Sequence, residues 1–145
     1  MSWLKKLIGG NESIKYIDHV AIVVSDMDRG VEFYGGVLGL KVILDGRSQG
    51  GEKKTFLGTD SGVLVALTED KTRKYAEEHN TGGVDHIAFG VDDLEKMSKL
   101  LSGKGVEFIE EKTGKDGNVT AYHFRDPDGL ELEICTRTGD DVPTY

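Results

Sequence analysis

The chain repeats a short motif, and this repeat constrains its fold more than any other feature. Residues 18–26 (DHVAIVVSD) align with residues 85–93 (DHIAFGVDD), 67 positions later, and five of the nine positions are identical. Such a repeat indicates two copies of one structural unit. Because the chain has 145 residues, we expect a single domain made of two modules that share a core.

Both copies continue with the same order of predicted elements. Ser25 and Asp92 are the predicted helix N-caps, since an acidic residue follows each of them three positions later. Apolar residues then recur at helical spacing, at Met27, Val31, Tyr34 and Leu38 and at Leu94, Met97 and Leu101. Three short runs between turn residues follow, at about 40–46, 53–58 and 63–68 and at about 106–112, 119–125 and 130–137. Each module is therefore predicted to be a strand, a helix and three strands, which is an α+β fold.

The repeat also sets the expected limits of the domain. We expect one domain over residues 15–137, with modules at about 15–69 and 83–137, an N-terminal extension over 1–14 and a tail over 138–145. The extension has the pattern of a short amphipathic helix, which we expect to dock on the domain rather than on a membrane. His79, in the polar connector between the modules, is expected to be a solvated surface residue.

Composition excludes several classes of function. Asp and Glu outnumber Lys and Arg by 26 to 18, which gives a net charge of −8, whereas a nucleic-acid partner would require a cationic surface. No apolar run approaches the roughly 20 residues that cross a bilayer. The single cysteine, Cys135, excludes an internal disulfide and is compatible with a reducing cytoplasm, the compartment that we expect.

Two histidines occupy equivalent positions in the repeat. His19 and His86 lie in the predicted first strands of their modules, and strand parity places them, with Glu133, on the face opposite the core. Two imidazoles and a carboxylate suit one divalent ion such as Fe, Mn, Co, Ni or Zn. Ala66 occupies the position equivalent to Glu133, so the predicted site has three protein ligands and leaves coordination positions for a substrate. Each histidine taken alone is also compatible with a structural hydrogen-bonding role.

Three further residues are candidates for the same face. His123 shares the parity of the predicted ligands and is a candidate general acid or base, with a surface strand residue as the alternative. Arg125 is a candidate for binding a substrate carboxylate or phosphate, although a pair with Glu131 is equally compatible with the sequence. Phe56, the repeat equivalent of His123, is a candidate apolar wall of the substrate site, with packing in a dimer interface as the alternative. Small residues on this face favour a concave surface with room for a ligand, at Ala21, Ala66, Ala88, Gly90 and Ala121.

These motifs resemble those of the vicinal oxygen chelate superfamily, which includes glyoxalases, bleomycin-resistance proteins and dioxygenases. The likeness spans about residues 15–137 and is carried by residues 17–21 (IDHVA), 84–89 (VDHIAF) and 126–129 (DPDG), with Glu133 after them. It implies two βαβββ modules that form a U-shaped mixed sheet around a metal-binding cleft. It also implies His19, His86 and Glu133 as the ligands, commonly in a homodimer.

Within this resemblance the residues do not single out one subfamily. Glyoxalase I usually has an acidic ligand where this chain has Ala66, fosfomycin-resistance enzymes usually have Thr or Cys where it has Ala21, and extradiol dioxygenases usually have Tyr where it has His123. The resemblance implies a metal-dependent lyase or isomerase that acts on a small oxygenated metabolite through an enediolate or enolate. For this chemistry we expect Glu133 and, from its strand parity, His123 to be the catalytic residues. The alternatives are a non-enzymatic drug- or ligand-binding protein of the bleomycin-resistance type and an extradiol-type dioxygenase.

Overall fold

The computed structural model describes residues 14–48, 54–72 and 83–136. The predicted N-terminal extension, apart from Ile14, the predicted tail and His79 lie outside the described residues. Within these three ranges, no helix has both the length and the apolar character that a membrane crossing demands.

Both modules have the predicted order of elements. The first contains β1 (Val20–Val24), α1 (Met27–Val31) continued by a π-helical turn (Glu32–Val37), β2 (Lys41–Leu44), a 3₁₀ turn (Gly46–Ser48), β3 (Lys54–Thr59) and β4 (Gly62–Glu69). The second contains β5 (Ile87–Gly90), α2 (Leu94–Gly103), β6 (Glu110–Thr113), β7 (Val119–Arg125) and β8 (Glu131–Cys135). The predicted α+β fold of two βαβββ modules is therefore confirmed.

Each module forms a four-stranded mixed sheet of the same topology. The strand orders are β1-β4-β3-β2 and β5-β8-β7-β6, with the first and last strands of each module parallel and the other pairs antiparallel. The registers also correspond, since Phe56 pairs with Ala66 and His123 pairs with Glu133, 67 positions later. The backbone pairing is therefore duplicated together with the motif.

One hydrophobic core serves both modules. In β8, Leu132 and Ile134 are buried, whereas the alternating residues Glu131 and Glu133 are half-buried on the opposite face. This alternation confirms the parity expected for a strand that covers a core with one face. Side chains from both modules are fully buried in this core, including Tyr34, Leu57, Leu67, Leu101, Phe124 and Leu132.

Polar contacts connect the first helix to the turn between β7 and β8. The hydroxyl of Tyr34 donates to Oδ2 of buried Asp126 at 2.7 Å. The backbone N–H of Ser25 donates to Oδ2 of Asp128 at 3.0 Å, and the Arg29 guanidinium donates to Oδ1 of Asp128 at 3.0 Å. Burial raises the pKa of the Asp126 carboxyl, and the Tyr34 hydrogen bond opposes that shift. These contacts hold the two modules in one arrangement.

Both helix N-caps lie one residue later than predicted. The Asp26 carboxylate accepts from the N–H of Arg29 at 2.8 Å, and Asp93 accepts from Lys96 at 2.9 Å. The predicted cap Ser25 was wrong because its hydroxyl and N–H both contact Asp128, far away in sequence. The predicted cap Asp92 was wrong because the aspartate next to it has the extended backbone of an N-cap.

Candidate metal centre

Three strands of the second module bring two imidazoles and a carboxylate together. His86 precedes β5, His123 lies on β7 and Glu133 lies on β8, which pairs with both other strands. His123 is directly opposite Glu133 in the β7–β8 register. Oε2 of Glu133 consequently lies 3.1 Å from Nε2 of His86 and 3.0 Å from Nε2 of His123. Both imidazoles therefore converge on one carboxylate oxygen.

The opposite nitrogen of each imidazole contacts a second carboxylate. Nδ1 of His86 lies 2.7 Å from Asp85 Oδ2, and Nδ1 of His123 lies 2.9 Å from Glu131 Oε1. A ligand atom of His86, of His123 and of Glu131 all lie within 4.8 Å of one another. Carboxylates that hold Nδ1 in this way orient the Nε2 edge of an imidazole toward a shared point, as they do around protein-bound metals.

The group formed by His86, His123 and Glu133 fits a divalent cation, because one of its imidazole nitrogens is buried without a hydrogen bond. His123 is 4% exposed, and its Nε2 lies 3.0 Å from Oε2 of Glu133 but has no hydrogen-bond partner. Across the described part of the chain, it is the only buried side-chain nitrogen or oxygen without a hydrogen-bond partner. Leaving such a group unsatisfied costs about 1–3 kcal/mol, which a bound cation would offset.

The surroundings of His86 favour positive charge. Its hydrogen bond to Asp85 raises the pKa of the imidazole above the ordinary value. Partial burial opposes this shift, and the negative charges of Glu133, Asp85 and Glu131 reinforce it. The same charges would stabilise a cation at this place.

His19 has a similar local environment but lies outside this cluster. Its Nδ1 is 2.6 Å from Asp18 Oδ2, as His86 contacts Asp85, and its ring packs edge-on against Phe56 with centroids 6.4 Å apart. Its side chain is 39% exposed. Of the described residues, those close enough together to share an ion do not include His19. The expected convergence of His19 with Glu133 stays a prediction.

Comparison with known proteins identifies the family. A model described as the Glyoxalase/Bleomycin resistance protein/Dioxygenase superfamily matches residues 16–134. The chain belongs to this superfamily. The resemblance carried by the repeated motif is thereby confirmed.

Superfamily members similar to this chain carry different activities in their names. Metallothiol transferase FosB of Bacillus licheniformis is 30% identical over 128 residues, which cover 87% of this chain and 78% of that protein. Lactoylglutathione lyase of Haemophilus influenzae is 31% identical over 121 residues, which cover 80% of this chain and 88% of that protein. The crystal structure of a glyoxalase family protein from Enterococcus faecalis has a TM-score of 0.69 at 27% identity and covers 83% of this chain and 97% of its own.

The two other predicted site residues, Arg125 and Phe56, contact residues of the modules to which they belong. The Arg125 guanidinium donates to the carbonyl of Gly129 at 3.2 Å, and Glu131, its expected alternative partner, contacts His123 instead. The ring of Phe56 lies beside that of His19. The substrate contacts expected of Arg125 and Phe56 stay predictions. The contact between Glu131 and His123 was not predicted from the sequence, although strand parity places both residues on the face of Glu133.

A cavity of about 640 Å³ has both His19 and His86 in its wall. Most of the wall is apolar, and Ala88 and Gly90, two of the small residues expected to leave room for a ligand, contribute to it. Its volume lies within the usual range of small-molecule sites.

Proposed function

We propose that this superfamily member is a metal-dependent lyase or isomerase that acts on a small oxygenated metabolite. The observation that carries the proposal is the convergence of His86 and His123 on one oxygen of Glu133, at 3.1 and 3.0 Å. Imidazole and carboxylate together suit Zn, Ni, Co, Mn or Fe.

In this proposal His86 and Glu133 hold one divalent cation. When bound, the cation would stabilise negative charge on two neighbouring oxygens of the substrate. Glu133 also accepts a proton from the carbon next to a substrate carbonyl and returns it. The acid–base role expected of His123 stays a prediction. The cavity beside His86 would hold the rest of the substrate, with Phe56 as part of an apolar wall and Arg125 as a contact for an anionic group.

We further propose a homodimer in which His19 of a second copy is an additional ligand. The support is that His19 is equivalent to His86 in the repeat but is absent from the described ligand cluster. Strand β2 also offers three consecutive apolar residues that are 42–48% exposed, Val42, Ile43 and Leu44, and exposed apolar patches often mark protein interfaces.

The proposal is tested by metal analysis and activity of untagged protein. We expect about one divalent ion per chain after reconstitution, and activity toward lactoylglutathione or a related adduct that a chelator removes and added metal restores. Glu133→Gln should abolish this activity. Tight ligand binding by metal-free protein that persists in Glu133→Gln would instead support a non-enzymatic binding protein.

Mixing two inactive variants tests the shared site. If His19 comes from a second copy, chains with His19→Ala mixed with chains carrying Glu133→Gln should form heterodimers that regain one intact site. The mixture would then be more active than either variant alone. A monomer in solution, or a mixture that gains no activity, would contradict the homodimer with a shared site.

A second candidate function is transfer of a thiol to a small electrophile. The match to metallothiol transferase FosB, 30% identical across 87% of this chain, favours it. Metal-dependent consumption of a thiol in the presence of fosfomycin, without turnover of lactoylglutathione, would support this candidate over the first.

A further inference from the structure

We infer that His123 is a ligand of the cation, so that the second module alone supplies three ligands, His86, His123 and Glu133. The inference rests on the proposed function, because it names the residues that hold the cation of the same site. The sequence predicted His123 to be a free acid or base. The inference instead makes His123 a ligand of the cation.

The first support is the orientation of both rings. Nδ1 of His123 lies 2.9 Å from a Glu131 oxygen, and Nδ1 of His86 lies 2.7 Å from an Asp85 oxygen. A neutral imidazole that donates its Nδ1 hydrogen to a carboxylate presents a lone pair at Nε2. The Nε2 atoms of His123 and His86 lie 3.0 and 3.1 Å from Oε2 of Glu133, so both are close to one point.

The second support is the burial of His123. The ring is 4% exposed, so its Nε2 has little access to solvent, and that nitrogen has no hydrogen bond. A general acid or base must reach the proton that it transfers, whereas a ligand needs only a cation between itself and its neighbours. The contact with Glu133 therefore suits a ligand better than a proton-transfer group.

The third support is the charge of the cluster. Three carboxylates, from Asp85, Glu131 and Glu133, contact the two imidazoles. Lys112 on the neighbouring strand forms an ion pair with Glu110. Even with both imidazoles protonated, the three carboxylates exceed their charge by one, so a bound cation would be electrostatically favoured.

The first module supplies an internal contrast. The residues equivalent to His123 and Glu133 are Phe56 and Ala66, which also pair in register. The imidazole and the carboxylate therefore occur together in one module and are absent together from the other. Paired occurrence is expected of two groups that bind one ion.

The test is a titration of the full chain with Co²⁺, in which binding is measured by calorimetry and by visible absorption. In wild-type protein we expect binding with the absorption bands of nitrogen- and oxygen-bound cobalt. His123→Phe, which introduces the residue of the first module, should weaken binding by at least about 100-fold. Glu131→Gln, which only loosens the orientation of His123, should weaken it by about 10- to 100-fold.

Tyr122→Phe is the matched control, because Tyr122 is the neighbour of His123 on β7 and packs against Phe108 at a centroid distance of 4.8 Å. It should leave cobalt affinity and spectrum unchanged. Circular dichroism and thermal melting establish that each variant is folded.

If His123→Phe does not fold, a second variant, His123→Cys, tests the ligand role of His123. In His123→Cys, sulfur ligation would produce a near-ultraviolet charge-transfer band on cobalt binding, and wild-type protein, which retains Cys135, gives the baseline. Cobalt binding by wild-type protein that neither His123 variant alters would overturn the inference and leave the proposed function standing. Absence of cobalt binding by wild-type protein would overturn both.

Discussion

The two modules share their backbone pairing but differ in one row of side chains. Core positions are equivalent in both, since Leu57 and Phe124 each have 0% exposure and occupy the same place in the repeat. On the opposite face, the pair Phe56 and Ala66 in one module corresponds to the pair His123 and Glu133 in the other. Packing thus constrains the core face of both copies, whereas the opposite face differs and carries the paired imidazole and carboxylate in the second module only.

The largest expected effect tests the equivalence of the core faces. Phe124→Ala should lower the free energy of unfolding by about 3–5 kcal/mol and Leu57→Ala by about 2–5 kcal/mol, because each leaves a cavity in the shared core. Urea denaturation measures both. A cost below about 1 kcal/mol in only one module would show that the two core faces are not equivalent.

The second-largest expected effect tests how the two modules differ on the sheet face opposite the core. Glu133→Gln should weaken Co²⁺ binding by at least about 100-fold, since it removes a charged ligand rather than a residue that orients one. Ala66→Ser, at the equivalent position of the first module, is the matched control and should leave cobalt affinity unchanged in calorimetry. Equal losses in the two variants would contradict a site confined mainly to the second module.

The contact between the modules should have an intermediate effect. Tyr34→Phe removes the hydroxyl that donates to buried Asp126 and should lower the free energy of unfolding by about 1–3 kcal/mol. Tyr16→Phe, at a position that is 75% exposed, should cost almost nothing. The Tyr34 hydrogen bond opposes the rise in the pKa of Asp126, so the loss should be larger at pH values above the pKa of Asp126 than below it. A loss that does not depend on pH would argue against this contact.

The smallest expected effect concerns the pKa of His86 in metal-free protein. Its raised pKa, due first to the Asp85 hydrogen bond, means that the folded state favours the protonated imidazole. This contribution to stability is full below the ordinary pKa of about 6.5 and is lost as pH rises through the higher folded-state pKa. An NMR titration should show this pKa falling in Asp85→Asn. An unchanged value in that variant would contradict the stated cause.

The sequence predicted the duplicated order of elements along the chain and the placement of His86 and Glu133 on one face of the sheet. Both follow from local periodicity, because alternate strand residues face opposite sides of a sheet. It did not predict the contacts of Ser25 with Asp128, 103 residues away, which displaced the expected N-cap. It also did not predict that His123 would contact both Glu131 and Glu133. Strand parity predicts the face of the sheet on which a side chain lies, but it does not predict the rotamer of that side chain. Periodicity also does not indicate whether His19 reaches Glu133 within one chain or from a second copy.

The most direct test of a cation site built on the second module is anomalous diffraction from crystals of zinc-loaded protein. We expect one zinc ion per chain within about 2.0–2.2 Å of Nε2 of His86, Nε2 of His123 and an oxygen of Glu133. An ion bound by His19 and Glu133 with His123 beyond bonding distance would contradict the ligand role of His123. Zinc found only away from Glu133 would contradict the site itself.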